Sequence, residues 1–305
     1  MLLALARRRV VGRVAIRAPG SRKLVSRFVA GETLSDALET LRVLQNGGYR
    51  TTVDMLGESV ATPEDAAAAA RGYVELLEAL DVKGLDRNVS LKLTQFGLDQ
   101  GDDICAANLR LVFDRAAALD AFVRVDMEDH ARTDSTLRIW RSVRPSCPNS
   151  GVVVQAALRR SPMDVDALID EGAPVRLCKG AYREPAAVAL QNRHEVDAAY
   201  DKLAARLFRS GVAVALATHD ETRIRRALAL ARALNLDPNR FEIQMLYGVR
   251  RDLQERLLAE GWHVRVYVPY GREWYPYFMR RLAERPANVG FMVRSVLREA
   301  GDSRR

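Results

Sequence analysis

Lysine is scarce in this 305-residue sequence: only five of its 47 basic residues are lysines, and the arginines are spread along the whole length. The net charge of +8 invites a nucleic-acid reading. The sequence has no aromatic-interleaved basic stripe, zinc-ligand spacing or recognition-helix pattern, so a solvated basic surface is the stronger reading and nucleic-acid binding the weaker alternative. Cysteine is scarce too. Cys105, Cys147 and Cys178 are odd in number, widely spaced and free of any C-x-x-C, which argues against a disulfide framework and a metal site and points to a reducing compartment. No apolar run approaches the ~20 residues of a membrane span. The opening MLLALARRRVVGRVAIRAPG has too short an apolar core for a cleavable signal peptide. The default expectation is therefore a cytoplasmic protein. Peripheral contact with the inner membrane through Arg7, Arg8, Arg9, Arg13 and Arg17 stays as an alternative to a lightly docked terminal segment.

A hydrophobic content of 48% with 11 prolines gives a globular chain long enough to bury a large core. From residue 51 onward, short β-branched runs alternate with longer helical patterns. Strands are expected near 51–57, 89–95, 122–128, 152–157, 174–180, 213–218, 240–246 and 263–268. The stretches between them carry helical spacing, as in Ile224, Leu228 and Ala231. Thr62-Pro63-Glu64-Asp65 and Ser161-Pro162-Met163-Asp164 each read as a hydroxyl N-cap, a proline at the first helical position and an acid in the first turn. A further helix is expected within 31–48. Eight units without a linker favour one closed (βα)8 barrel over 31–305, preceded by a basic segment over 1–30, although an open doubly wound sheet has the same element order.

Several strands alternate the wrong way for a plain apolar interior. If Leu91 and Leu93 face the helices, Ser90, Lys92 and Thr94 turn inward; the same logic turns in Arg124, Asp126 and Glu128, then Arg176 and Cys178, Glu242 and Gln244, and Arg265 and Tyr267. One such charge would be an ordinary ion pair. Five strands together require pairing among themselves or a polar ligand at the barrel mouth, because unpaired buried charge is costly. After the last strand, Tyr277, Arg280, Arg281 and Glu284 recur at helical spacing. Guanidiniums on a helix at the active-site end suit a carboxylate ligand, while a solvated helix with an Arg280–Glu284 pair suits this segment alone equally well.

The segments DMLGES (54–59), SLKL (90–93), VDMED (125–129), VVQA (153–156), VRLCKGAYRE (175–184), ATHD (217–220), FEIQMLYG (241–248) and YFMRRLAE (277–284) resemble the proline dehydrogenases. They look most like the short monofunctional bacterial form, over about residues 30–295. The resemblance implies a distorted, TIM-type (βα)8 barrel with a terminal helix above its mouth. It also implies noncovalent FAD and oxidation of L-proline to Δ1-pyrroline-5-carboxylate, the first step of proline catabolism. Arg176, Gln155, Gln244, Lys179, Gly180, Ala181, Thr218, His219 and Glu284 would contact the FAD. Lys92, Arg280 and Arg281 would hold the substrate carboxylate, and Asp126, Tyr182, Leu246, Tyr267 and Tyr277 would shape the ring pocket, with Tyr267 disfavouring hydroxyproline. Glu58 would pair with Arg280 as a gate. Electrons would pass to a membrane quinone, and the product to a separate pyrroline-5-carboxylate dehydrogenase. Cys178 and Asp220 stand where other members carry valine and asparagine. The acceptor of the amine proton is left between Asp126 and water. Two rivals follow from the residues: a Schiff-base aldolase using Lys92 or Lys179, and a nucleic-acid binder relying on net charge.

Overall fold

The computed structural model describes residues 25–284, with side chains through Met279. Eight parallel strands close into one barrel in chain order: β1 (Arg50–Met55), β2 (Asn88–Leu91), β3 (Phe122–Val125), β4 (Ser150–Gln155), β5 (Val175–Cys178), β6 (Val214–Ala217), β7 (Phe241–Leu246) and β8 (Val264–Tyr270). Closure is carried by β1 pairing with both β2, at Val53↔Val89, and β8, at Val53↔Val268, which rules out the open sheet. Helix α1 (Leu34–Asn46) precedes the barrel. Helices α2 (Pro63–Val82), α3 (Asp102–Ala118), α4 (Thr133–Val143), α5 (Ser161–Asp170), α6 (Arg193–Ser210), α7 (Glu221–Ala233) and α8 (Arg251–Ala259) connect the strands, and α9 (Trp274–Glu284) follows β8.

Local chemistry starts two of these helices. Thr33 Oγ1 accepts from the Asp36 amide at 3.2 Å while Asp36 Oδ2 accepts from the Thr33 amide at 3.0 Å, a reciprocal cap on α1. Thr62 Oγ1 accepts from the Asp65 amide at 3.1 Å, with Pro63 opening α2 as expected. The parallel expectation for Ser161 fails. Arg160 is the N-cap of α5, and the buried Ser161 hydroxyl donates to the Gln155 carbonyl at 2.5 Å. A buried strand-end carbonyl needs a donor more than a helix amide that water can reach.

Strands β2 and β3 also stop earlier than expected. The chain turns into a 3₁₀ turn over Leu93–Phe96 after β2 and into a loop after β3, so Lys92 and Asp126 are the first residues beyond their strands. That places them on the C-terminal rim, where barrel enzymes build their sites.

Outward strand residues such as Val53, Leu91, Val125, Val154, Leu177 and Ile243 are buried against Leu76, Leu109, Phe113, Trp140 and their neighbours on the helices. Each fully buried leucine or valine contributes about 1.5–3 kcal/mol. A second, smaller core joins the segment before α1 to α9: Phe28, Val29, Leu56, Trp274, Tyr277, Phe278 and Met279. Ala30 donates to the Pro269 carbonyl at 2.9 Å, Gly271 to the Gly31 carbonyl at 2.9 Å, and Trp274 Nε1 to Glu32 at 3.0 Å. These bonds anchor the start of α9 at the barrel mouth.

Candidate active site

The inward alternation is borne out for all the expected residues except Thr94 and Glu128, and the polar residues separate into two layers. Toward the N-terminal ends of the strands, Arg265 Nε donates to Glu242 Oε1 at 2.7 Å, and Arg50 lies 3.5 Å from the other Glu242 oxygen. Arg124 donates to the carbonyls of Val152 at 3.1 Å and Pro174 at 2.7 Å, its guanidinium centred 4.6 Å from the Phe122 ring. Burial opposes charge on Glu242, yet Arg265, Gln244 and Arg50 outweigh it and lower its pKa to about 2. Glu242 with Arg265 and Arg50 forms an ion-paired floor, beside which Arg124 is held by backbone carbonyls. Of the two ways expected to compensate inward charge, pairing inside the barrel or a ligand at its mouth, Arg124, Glu242 and Arg265 take partners inside the protein.

Above the floor, Arg176 on β5 donates to Ser90 Oγ on β2 at 2.8 Å, a bond that crosses the barrel interior, and Ser90 Oγ lies 3.1 Å from Thr52 Oγ1. Asp126 is the hub of the rim. Its Oδ1 accepts from Arg176 Nη1 at 2.6 Å and its Oδ2 from the Tyr267 hydroxyl at 2.9 Å, with the Arg176 guanidinium centred 5.3 Å from the Tyr267 ring. Burial is the main reason the Tyr267 hydroxyl is held well above its ordinary pKa, and Asp126 and Asp54 add to it, so Tyr267 stays a donor. Lys92 Nζ donates to Asp54 at 3.0 and 3.2 Å and lies 4.0 Å from Asp126. Burial alone would lower Lys92, but Asp54, Asp126 and Glu58 outweigh it and keep the ammonium above the ordinary lysine value.

These groups open on a cavity of about 410 Å³ at the C-terminal strand ends, within the size range of small-molecule sites. Of the anticipated residues, Glu58, Lys92, Asp126, Arg176, Lys179, Gly180, Ala181, Tyr182, Thr218, His219, Gln244, Leu246, Tyr267 and Tyr277 all line it. Gln155 sits behind the wall, donating from Nε2 to the Glu128 carbonyl at 2.8 Å and accepting from the Ala181 amide at 3.4 Å. Thr94 and Glu128, expected inside the barrel, bond each other beyond the strands, the carboxylate accepting from the Thr94 hydroxyl at 2.7 Å and amide at 3.1 Å. The α9 backbone carries Arg280, Arg281 and Glu284, whose side chains lie outside the described residues, as does the 1–24 part of the basic segment.

His219 Nε2 accepts from the Leu246 amide at 2.9 Å, so that lone pair ties the end of β6 to β7 instead of serving as a base. Lys179 Nζ donates to Asp220 at 2.7 Å and also to Asp197. Cys178 reaches the cavity with its thiol pushed up to about 12, chiefly by burial, which disfavours the thiolate at neutral pH. Gln244 gives its Nε2 to Glu242 at 2.6 Å, while its buried Oε1 and the buried Arg176 Nε have no partner among the described residues.

Sequence reasoning missed Asp54, fully buried on β1 and part of the cavity wall. The signal was present, since Thr52 and Asp54 flank the outward Val53 with the same period-two pattern. It also missed Tyr73 on α2, whose hydroxyl lies 2.8 Å from the Ser90 carbonyl and 3.3 Å from Asp54 and accepts from the Met55 amide at 3.2 Å.

A family model described as proline dehydrogenase matches residues 37–294. The chain is 38% identical over 283 residues to Proline dehydrogenase 1 of Bacillus subtilis (strain 168), covering 93% of this chain and 94% of that one. It is 39% identical over 280 residues to Proline dehydrogenase of Deinococcus radiodurans, covering 90% of each. Among solved structures, proline utilization A (PutA) from Bdellovibrio bacteriovorus, inactivated by N-propargylglycine, matches with a TM-score of 0.80 at 26% identity. That match covers 90% of this chain and 33% of the other, so the chain spans about a third of that larger protein.

Proposed function

This chain belongs to the proline dehydrogenase family, and from that premise we propose that it oxidises L-proline to Δ1-pyrroline-5-carboxylate in this cavity with noncovalently held FAD. The observation that carries the reading is the convergence of Lys92, Asp126, Arg176, Gln244 and Tyr267, from five strands or the residues just after them, on one cavity. The cavity suits a flavin edge. The unpartnered Gln244 Oε1 offers an acceptor and the unpartnered Arg176 Nε a donor, and Met127, Val153, Ala217 and Met245 give the wall apolar surface for a ring system. Lys179, Gly180, Ala181, Thr218, His219 and Glu284 complete the proposed cofactor contacts, and Gln155 supports them from behind by holding the Ala181 amide. When bound, the flavin would supply the two-electron acceptor for the hydride lost from the proline ring.

The chain's own residues supply orientation and electrostatics. Lys92 with Arg280 and Arg281 binds the substrate carboxylate, Glu58 pairs with Arg280 over the bound substrate, and Tyr182, Leu246, Tyr267 and Tyr277 enclose the ring. Arg176 favours negative charge developing beside it. Each Asp126 oxygen accepts one hydrogen bond and has a lone pair to spare, so the acceptor of the amine proton is Asp126 or a water. Electrons leave to a membrane quinone. No helix among the described residues is long and apolar enough to cross a membrane. The product goes to a separate pyrroline-5-carboxylate dehydrogenase.

The aldolase reading loses support because a Schiff-base lysine must shed its proton, whereas Lys92 is held charged and Lys179 is hydrogen-bonded to two carboxylates. The nucleic-acid reading loses support from surface arginines already paired with carboxylates, such as Arg87 with Asp81 and Arg141 with Glu171. An absorbance spectrum before and after anaerobic proline tests the proposal. The expected result is a yellow protein whose flavin band bleaches; a colourless protein that takes up no FAD, or a band that proline leaves unchanged, would overturn it.

A further inference from the structure

The cations Lys92 and Arg176 and the carboxylates Asp54 and Asp126 meet at one side of the cavity, and they are not paired interchangeably. Asp54 accepts from Lys92 Nζ with both oxygens, at 3.0 and 3.2 Å, and one of them also lies 3.3 Å from the Tyr73 hydroxyl. Asp126 divides its oxygens between Arg176 at 2.6 Å and Tyr267 at 2.9 Å, leaving Lys92 at 4.0 Å, beyond hydrogen-bond reach. Asp54 is itself fixed from behind. It is wholly excluded from solvent and backed by the Tyr73 hydroxyl of α2, which also bonds the backbone of β1 and β2.

We propose that Asp54 is a positioning residue that holds Lys92 away from Asp126, so that the ammonium stays turned to the substrate carboxylate and the Arg176–Asp126–Tyr267 arrangement stays intact. The inference rests on the proposed oxidation of proline in this cavity. Its physical content is a competition. A buried ammonium without Asp54 has Asp126 as its nearest carboxylate, and a shift of about 1 Å would bring it into hydrogen-bond range of the oxygen that Tyr267 uses. Lys92 would then turn from the substrate, and Tyr267 would share its acceptor. Asp54 also supplies much of the negative charge that keeps a buried lysine protonated.

The test uses the flavin-loaded enzyme and three variants: Asp54→Asn, Lys92→Met and the double variant, each assayed with proline from neutral to strongly alkaline pH. Asp54→Asn is expected to raise the proline KM about tenfold or more with a smaller change in kcat. It should also give kcat/KM an alkaline decline that sets in at lower pH than in the wild type, since a less well-held Lys92 loses its proton sooner. A residue that only supported the fold would lower the amount of active enzyme without moving that pH profile. Because Asp54 acts through Lys92, adding Asp54→Asn to Lys92→Met is expected to change KM by no more than about twofold. An unaltered KM and pH profile in Asp54→Asn, or a full additional loss in the double variant, would overturn the proposal. If Asp54→Asn does not fold, Lys92→Met against the double variant carries the test alone, because the double variant removes both buried charges together. A wild-type enzyme that leaves proline unoxidised would sink the proposed function instead, so the two failures are distinguishable.

Discussion

Replacing Glu242 with glutamine keeps the shape of the barrel floor and removes its negative charge. In the native floor, Glu242 accepts from Arg265 at 2.7 Å and Gln244 at 2.6 Å, with Arg50 at 3.5 Å. Burial resists that charge, but the three neighbours bring the carboxyl from its ordinary 4.5 down to about 2. At about 1.4 kcal/mol for each pH unit, the gap is worth on the order of 3 kcal/mol of folding stability. The pKa is depressed in the folded state. The contribution is therefore complete above the unfolded value near 4.5 and drains away as pH falls toward about 2. Urea denaturation of wild type and Glu242→Gln, compared at neutral pH and at successively lower pH, isolates this one group from the other carboxylates. The variant is expected to be less stable by roughly 3 kcal/mol at neutral pH, with the gap closing in acid, where the protonated glutamate and the glutamine become electrostatic equals. A gap that is absent at neutral pH, or that stays constant into acid, would refute the reasoning that Glu242 is a charged partner inside the barrel.

Arg281→Met is expected to raise the proline KM by orders of magnitude while FAD stays bound; steady-state kinetics beside a flavin spectrum check this, and an unchanged KM would remove Arg281 from the carboxylate site. Tyr267→Ser removes the hydroxyl that Asp126 accepts at 2.9 Å and opens space at the ring. It should weaken proline and admit hydroxyproline, read as the ratio of kcat/KM for the two substrates. Glu32→Ala removes the acceptor of Trp274 Nε1 at 3.0 Å, which helps anchor the start of α9. A stability loss of about 1–2 kcal/mol together with a higher proline KM is expected; equal kinetics would show that α9 does not depend on this contact.

The order of eight strand–helix units was legible because buried parallel strands are short apolar runs and crossover helices carry a different period. The ends of β2 and β3 were not. The alternation through Leu93 and Met127 continues after the ladder stops, since both residues are buried in the turns that follow. The Ser161 cap misled for a related reason. Its local pattern matches that of Thr62, and only the buried Gln155 carbonyl supplied by the tertiary fold draws the hydroxyl away. Nor could sequence supply the partners of Lys179, because Asp197 and Asp220 arrive from α6 and from the turn before α7.

Which face each charged residue takes follows from period two, but which layer it occupies does not. Two residues along a strand span about 7 Å, enough to separate floor from rim, and a long side chain reaches across that distance. Arg124 is level with Ser90 in the register, yet its guanidinium bonds the Pro174 carbonyl near the bottom of the barrel. The two layers are nevertheless coupled through Gln244. A carboxylate can only accept, so Glu242 requires the Gln244 amide to present its Nε2 downward, and the amide oxygen is left as the group without a partner among the described residues at the cavity wall. The floor thereby sets the polarity of the site above it: a ligand edge that meets Gln244 must donate. Glu242→Gln removes that constraint as well as a charge, because a glutamine at 242 can donate or accept and lets the Gln244 amide turn over. A weaker grip on the cofactor in that variant, at a pH where the fold is intact, is the consequence the floor's chemistry demands.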